Sequence, residues 1–383
     1  MIPYGRQSIA AADIAAVSDV LRSDFLTQGP VIPRFEAAVA QRCSAGHAVA
    51  VSSATAALHL ACLALDIGPG DRVWTVPITF VASANCARYC GAEVDFVDVE
   101  PAAATLSVEA LAAKLSAAQR ANQVPKALVV VHLAGEPCDM AAIAALAQRY
   151  GVAVIEDASH ALGAVHDTAP VGACGFSDIT VFSFHPVKIL TTGEGGMALT
   201  QRADLAERMR RLRGHGIERA PERMSRNDGP WYYEQAELGF NYRMTDLQAA
   251  LGLSQLQRLD GFLAKRRDLA GRYDVLLSDL PVQPLARDRF GRSALHLYVV
   301  RIDQERADHR RVFEALRAAG IGVQLHYIPV HLQPYYQHLG FAPGDYPCAE
   351  AYYAEAISLP LYPDLSLSDQ DRVTAALRAA LAA

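Results

Sequence analysis

The sequence predicts an α/β protein: a large domain built on a mostly parallel central sheet, followed by a smaller C-terminal α+β domain. Three observations lead there. Short apolar runs alternate with helical patterns through the first half of the chain, as a parallel sheet covered on both faces requires. At 383 residues the chain exceeds what one compact core ordinarily holds, so two domains are expected. Near Thr245 the alternation gives way to a long helical pattern, which divides the chain into 1–244 and 245–383.

Ser8 is placed to cap a first helix with Ile9, Ile14, Val17 and Leu21 on one face. "TQGP" (Thr27–Pro30) ends that region, and a second helix runs from about Pro33 to Arg42. "AVAVSS" (Ala48–Ser53) reads as a buried strand and Ala54–Leu65 as a helix. After the turn "GPGD" come strand Arg72–Val76, a helix from Phe80 to Cys90, and strand Glu93–Val99. Lys126–Gly135, Gly151–Ser159, Asp178–Phe184 and Gly195–Thr200 are further strands, with a helix at Met140–Tyr150. "TDLQ" (Thr245–Gln248) has capping-box spacing and opens a helix predicted to reach Leu277. Strand Leu295–Ile302, helix Gln304–Ala319, strand Gly322–Ile328 and a helix from Ser368 complete the smaller domain.

Composition narrows the function. The chain is 51% apolar and 20% charged, an ordinary globular balance. Its net charge of −6 provides no basic footprint for nucleic acid or an anionic membrane. Any anionic ligand must therefore be held by local devices. The seven cysteines are scattered, with no CxxC pair and no Cys/His spacing typical of zinc. They read as free thiols in a cytoplasmic protein without a metal site. No signal peptide is expected. The uncharged stretch Ala48–Leu65 changes from strand to helix pattern midway and is not read as a membrane span.

In parallel sheets, ligands sit beyond the carboxyl ends of the strands. Three such ends carry chemistry. At "VSSAT" a helix begins after Ser53, so free amides and the helix dipole offer a phosphate site; a plain capped turn is the other reading. At "VIEDASH" Asp157 ends an apolar strand and needs a partner, either a ligand's protonated ring nitrogen or nearby backbone amides. His160 follows, to cap, pack or donate to a ligand oxygen. In "SFHPVKILTTGEGG" Pro186 bends the chain between Ser183 and Lys188. A free lysine, with a pKa of about 10.4, is neutral in only about one molecule in two thousand at pH 7. A standing Schiff base avoids that deficit; a surface lysine is the bland alternative. Taken together, a phosphate grip, an acid for a ring nitrogen and a lysine for an aldehyde specify pyridoxal 5′-phosphate (PLP).

Along nearly its whole length the sequence resembles the sugar-nucleotide aminotransferases, PLP enzymes of the aspartate-aminotransferase fold type I. "LTQGP", "VSSATAALHLA", "PITFVASANCARYCGAEVDFVDV", "IEDASHALGA", "FSFHPVKILTTGEGG" and "LGFNYRMTDLQAALGL" carry the resemblance. "MIPYGRQ", "FSFHPVK" and "WYYEQAELGFNYRMTD" bring it nearest to the UDP-4-amino-4,6-dideoxy-N-acetyl-β-L-altrosamine transaminases of pseudaminic acid biosynthesis. The resemblance implies that Lys188 forms the Schiff base and moves the proton, and that Asp157 keeps the pyridine nitrogen protonated. It puts His160 at the ring hydroxyl and Phe80 on the ring face. Thr55, Ala56 and Ser183 fall in the phosphate cup, and Asn241 reaches the phosphate from the other subunit of a homodimer. Substrate contacts are implied for Tyr4, Leu26, Thr27, Gln28, Ala54, His326 and Tyr327. His185 and Arg243 are further candidates, the first facing the sugar and the second an anionic group. The implied partners are L-glutamate and a UDP-linked 4-keto-6-deoxy-N-acetyl hexose. Another nucleotide keto-sugar, a sugar dehydration and a non-catalytic homologue are the alternatives; Lys188 argues against dehydration.

Overall fold

A computed structural model describes residues 1–382. Seven strands form the central sheet: β1 (His47–Val51), β2 (Arg72–Thr75), β3 (Glu93–Phe96), β4 (Ala127–Val131), β5 (Ala153–Asp157), β6 (Ile179–Ser183) and β7 (Gly196–Thr200). Their order is β1-β7-β6-β5-β4-β2-β3. Only β7 runs antiparallel to its neighbours. The strands are buried along almost their whole length, which is why they read as continuous apolar runs rather than alternating ones.

Register brings the chemistry to one edge. Gly196 opposes Val51 on one side and Ser183 on the other, while Asp157 pairs with Val181. The carboxyl ends of β1, β5 and β6 therefore lie at one edge of the sheet, with the start of β7 between β1 and β6. A Cβ on Gly196 would stand 2.4 Å from the Ala54 nitrogen. Only glycine lets β7 run that close to the helix that follows β1.

The C-terminal part carries a three-stranded antiparallel sheet of β8 (Val282–Pro284), β9 (Tyr298–Ile302) and β10 (Ala356–Leu359). Its apolar core gathers Ile2, Leu269, Tyr273, Val300 and Leu377. A separate core gathers Phe35, Phe182, Phe184 and Met197 with Ala249, Leu259 and Leu263. The helix Leu259–Leu276 thus passes from one core to the other, and the helix Asp246–Leu256 packs with the N-terminal elements.

Three expectations are corrected. The first helix is Ala11–Leu21, and Ile9, Ile14 and Leu21 are exposed. Its buried face carries Asp13 and Val20 instead. Asp13 accepts from Ser254 Oγ at 2.6 Å and Gln255 Nε2 at 2.8 Å and pairs with Arg258. A buried acid is tolerated only with such partners, and these lie some 240 residues away, out of reach of local periodicity. The Ala10 N–H donates to Asp13, so Ser8 is not the cap. The long helix predicted for Thr245–Leu277 is two helices, Asp246–Leu256 and Leu259–Leu276, broken where Arg258 turns to Asp13 and the Ser8 carbonyl. Its capping box does form: Thr245 Oγ1 accepts from the Gln248 N–H at 3.2 Å and Gln248 Oε1 from the Thr245 N–H at 2.9 Å. The strand predicted for Gly322–Ile328 is limited to Ile321–Gly322, paired with Ile2–Pro3. The remainder is irregular chain bordering the site.

Candidate active site

The helix Ala54–Ala64 starts at the end of β1, capped by Ser53, whose Oγ accepts from the Ala56 N–H at 3.1 Å. Ala56 is buried and its amide is already used, so the structure does not offer it to a phosphate. The N–H groups of Ala54 and Thr55 have no acceptor among the described residues. They face a cleft of about 930 Å3. Such a pair of amides at a helix start suits an anion.

Asp157 ends β5 in the same cleft, with 5% of its surface exposed. Ser83 Oγ donates to its Oδ2 at 2.6 Å and the Ser159 N–H to its Oδ1 at 3.1 Å. These fix the carboxylate while leaving it lone pairs for one more N–H. Lys188 lines the same cleft, with Leu58, Val81, Val131 and Val187 among its apolar borders. Burial pushes its amine down to about 8, and the charge of Asp157 works against that shift. The chain has four lysines. Lys114 is paired with Asp95 and Lys126 with Asp71, while Lys265 is exposed on a helix. Among them only Lys188 borders the cleft.

His160 borders the same cleft, buried and neutral. Burial first, then the charges of Lys188 and His326, hold its pKa well below the imidazole range. Its Nδ1 accepts from the Ala134 N–H at 3.3 Å, and its Nε2 is 3.1 Å from Tyr327 Oη. Phe80 is 57% exposed and stands over the cleft, its ring 6.1 Å from that of Tyr327. Tyr4, Ser183, His185, His326 and Tyr327 complete the expected lining. Tyr4 packs on His326 with ring centroids 5.1 Å apart.

The chain does not bring every expected residue to this cleft. Gln28 and Arg243 border a second one of about 500 Å3, with Arg210, Arg213 and Arg219. Leu26 and Thr27 lie beside it, tied to the start of the helix Asp246–Leu256 by an Asp246 N–H to Leu26 carbonyl bond and a Thr27–Thr245 bridge. Asn241 is exposed and bridges Gly214.

Sequence reasoning passed over Ser83, Thr79 and Asp246. The Ser83 hydroxyl is also 2.7 Å from Thr79 Oγ1. Polar Thr79 and Ser83, four residues apart across the otherwise apolar start of the helix Ala82–Tyr89, were the available signal. Fully buried Asp246 accepts from the Gly29 and Val31 N–H groups, both at 2.8 Å. It fixes the "TQGP" turn, and nothing in the local sequence announces that pairing.

A phosphate-sized anion site, a fixed acid and a depressed lysine amine in one cleft fit PLP. The match to a family model decides the matter, running over residues 7–378 to the DegT/DnrJ/EryC1/StrS aminotransferase family. The chain belongs to this family. It is a PLP-dependent sugar aminotransferase. It is 42% identical to the spore coat polysaccharide biosynthesis protein SpsC of Bacillus subtilis, over 98% of this chain and 96% of that one. Among solved structures, it is similar to Helicobacter pylori PseC, described as an aminotransferase involved in pseudaminic acid biosynthesis. There the TM-score is 0.90 at 31% identity, covering 100% of this chain and 99% of PseC. A Streptococcus pneumoniae protein, provisionally described as a sugar aminotransferase and solved in a PMP form, superposes with a TM-score of 0.92 at 29% identity. That match covers 100% of this chain and 99% of the other.

Proposed function

We propose that this family member moves an amino group from L-glutamate to the C4 ketone of a UDP-linked 4-keto-6-deoxy-N-acetyl hexose, UDP-2-acetamido-2,6-dideoxy-β-L-arabino-hex-4-ulose, for pseudaminic acid biosynthesis. The observation that carries the chemistry is Lys188 and Asp157 facing one cleft with the start of the helix Ala54–Ala64. The similarity to PseC supports the substrate.

In this reading Asp157 holds the cofactor's ring nitrogen in its protonated form, and Phe80 covers one ring face. Thr55 and Ser183 hold the phosphate, and the Ala54 amide joins them. When bound, PLP supplies an electron sink for the carbon that exchanges its amine. Lys188 takes and returns the proton at that carbon; an amine lowered to about 8 is suited to both. A cleft of about 930 Å3 has room for a nucleotide-linked sugar beside the cofactor. Tyr4, His185 and His326 border the space left for the sugar.

The working unit is a homodimer that shares its sites. Exposed Ile9, Ile14, Leu21, Phe25 and Leu26 favour a second copy as the cover for this surface. Asn241, Arg243 and Gln28, which do not border the Lys188 cleft of their own chain, then serve the partner's cleft. No helix of the described residues is long and apolar enough to cross a membrane. The relative named for spore coat polysaccharide favours a second reading: the same amination on another nucleotide keto-sugar destined for a polysaccharide.

The test is a product mass spectrum from purified protein, PLP, glutamate and the L-arabino keto-sugar nucleotide. The 4-amino sugar with an equal yield of 2-oxoglutarate is expected. Amination of a different keto-sugar, with none of this one, would move the assignment to the second reading.

A further inference from the structure

Resting on the placement of PLP in the Lys188 cleft, we propose that Tyr327 is the hydrogen-bond donor to the cofactor's ring oxygen, and that His160 acts through Tyr327 instead of touching that oxygen. The argument is one of proton counting. The Ala134 N–H already points at His160 Nδ1, at 3.3 Å. A neutral imidazole has one acceptor nitrogen and one donor nitrogen. Nδ1 is the acceptor, so Nε2 carries the hydrogen, and its neighbour at 3.1 Å is Tyr327 Oη. His160 donates there and has no second N–H for a ligand. Tyr327 accepts that bond, and its own O–H donates to no atom among the described residues. The phenol lines the cleft together with Lys188 and Asp157.

The surroundings hold this arrangement in place. The His160 ring packs on that of His296 at 4.4 Å, and the backbone N–H of His296 donates to the Ala134 carbonyl at 2.9 Å. Ala134 thus ties the His160 imidazole to the backbone of His296. On the other side, His326 Nδ1 is 2.8 Å from Ser358 Oγ, and Tyr352 Oη donates to the His326 carbonyl at 2.6 Å. Tyr327 is therefore held through its neighbour His326 by Ser358 of β10 and Tyr352 of the helix Pro347–Glu355. Besides His160, the titratable groups around it are His326, Asp157, Tyr4, Tyr352 and Lys188. Burial, reinforced by the charge of Asp157, pushes the phenol upward, so it stays a protonated donor.

A donor on the ring oxygen draws off negative charge that would otherwise hold a proton on the joined Lys188 nitrogen. Removing that donor must raise the pH at which the cofactor's visible band titrates. The experiment is a spectrophotometric pH titration of four PLP-loaded proteins: wild type, Tyr327→Phe, His160→Asn and the double variant, each also measured for PLP affinity. Tyr327→Phe should raise the midpoint by about one unit, a tenfold change in proton affinity, and weaken PLP binding. His160→Asn should raise it by a similar or smaller amount, and in the Tyr327→Phe background should add nothing. An unmoved midpoint in Tyr327→Phe overturns the inference. So does a His160→Asn shift that is as large in the double variant as alone, because His160 would then touch the oxygen directly. A wild-type protein with no borohydride-reducible band overturns the placement of PLP and this inference with it; a normal wild-type band confines any failure to Tyr327.

Discussion

Ser83 Oγ donates to Asp157 Oδ2 at 2.6 Å, and 2.7 Å behind it stands Thr79 Oγ1. This file of hydroxyls sets the plane of a carboxylate that makes no direct ion pair among the described residues, although the Lys188 charge acts on it. Asp157→Asn should cut turnover by about a hundredfold or more while leaving the melting temperature nearly unchanged. Ser83→Ala, which removes only the orienting bond, should cost about tenfold, one charged hydrogen bond's worth. Paired steady-state kinetics and thermal melts check both; equal losses of stability and activity would make the pair structural.

Phe80 is a large apolar side chain left 57% exposed at the cleft mouth. Little of it is buried by the protein, so Phe80→Ala should leave the melting temperature of the cofactor-free protein within a degree or two. PLP affinity should fall about tenfold with the loss of one ring-face contact. Fluorescence titration with PLP measures it, and wild-type affinity in Phe80→Ala would remove Phe80 from the site.

The Lys188 amine, at about 8 against an ordinary 10.5, ties stability to pH in the cofactor-free protein. Between those values the unfolded chain binds the proton more tightly than the folded one. This group's contribution to stability therefore rises with pH across that window, and below it the full burden of a buried charge is felt. The melting temperature of wild type minus that of Lys188→Met should climb from pH 8 to pH 10.5. A flat difference would mean that the amine titrates normally.

Asp246 holds the turn through two amides, Gly29 and Val31, at 2.8 Å each. Asp246→Ala should destabilise the protein by roughly 3 kcal/mol, two charge-assisted bonds at a buried site. Hydrogen exchange should show protection lost at residues 29 and 31 before it is lost elsewhere. Uniform loss would indicate general unfolding instead.

How far the sequence could be read depended on where the partners lie. The seven strands of the sheet were legible because burial on both faces leaves an unbroken apolar run, as in "ALVVV" of β4. Asp157 was legible as a strand-end acid, although Glu156 beside it carries the same charge. The pleat separates the two: Glu156 faces the other side and meets His132 Nε2 at 2.8 Å and Thr180 Oγ1 at 2.9 Å. The first helix was read with the wrong face inward, because Asp13 is buried by partners from a distant helix and its apolar residues stay uncovered in a single chain. Ser83, Asp246 and the His160–Tyr327 bond escaped for the same reason. Each joins residues far apart in sequence, and no local period encodes such a pair.

The most direct test of the central claim is a peptide map of the PLP-loaded protein after borohydride reduction. The chain holds only four lysines, so the outcome is unambiguous. The account predicts the reduced cofactor on Lys188 alone, at about one per chain. Label on Lys114, Lys126 or Lys265, or no stable label on the loaded protein, would contradict it.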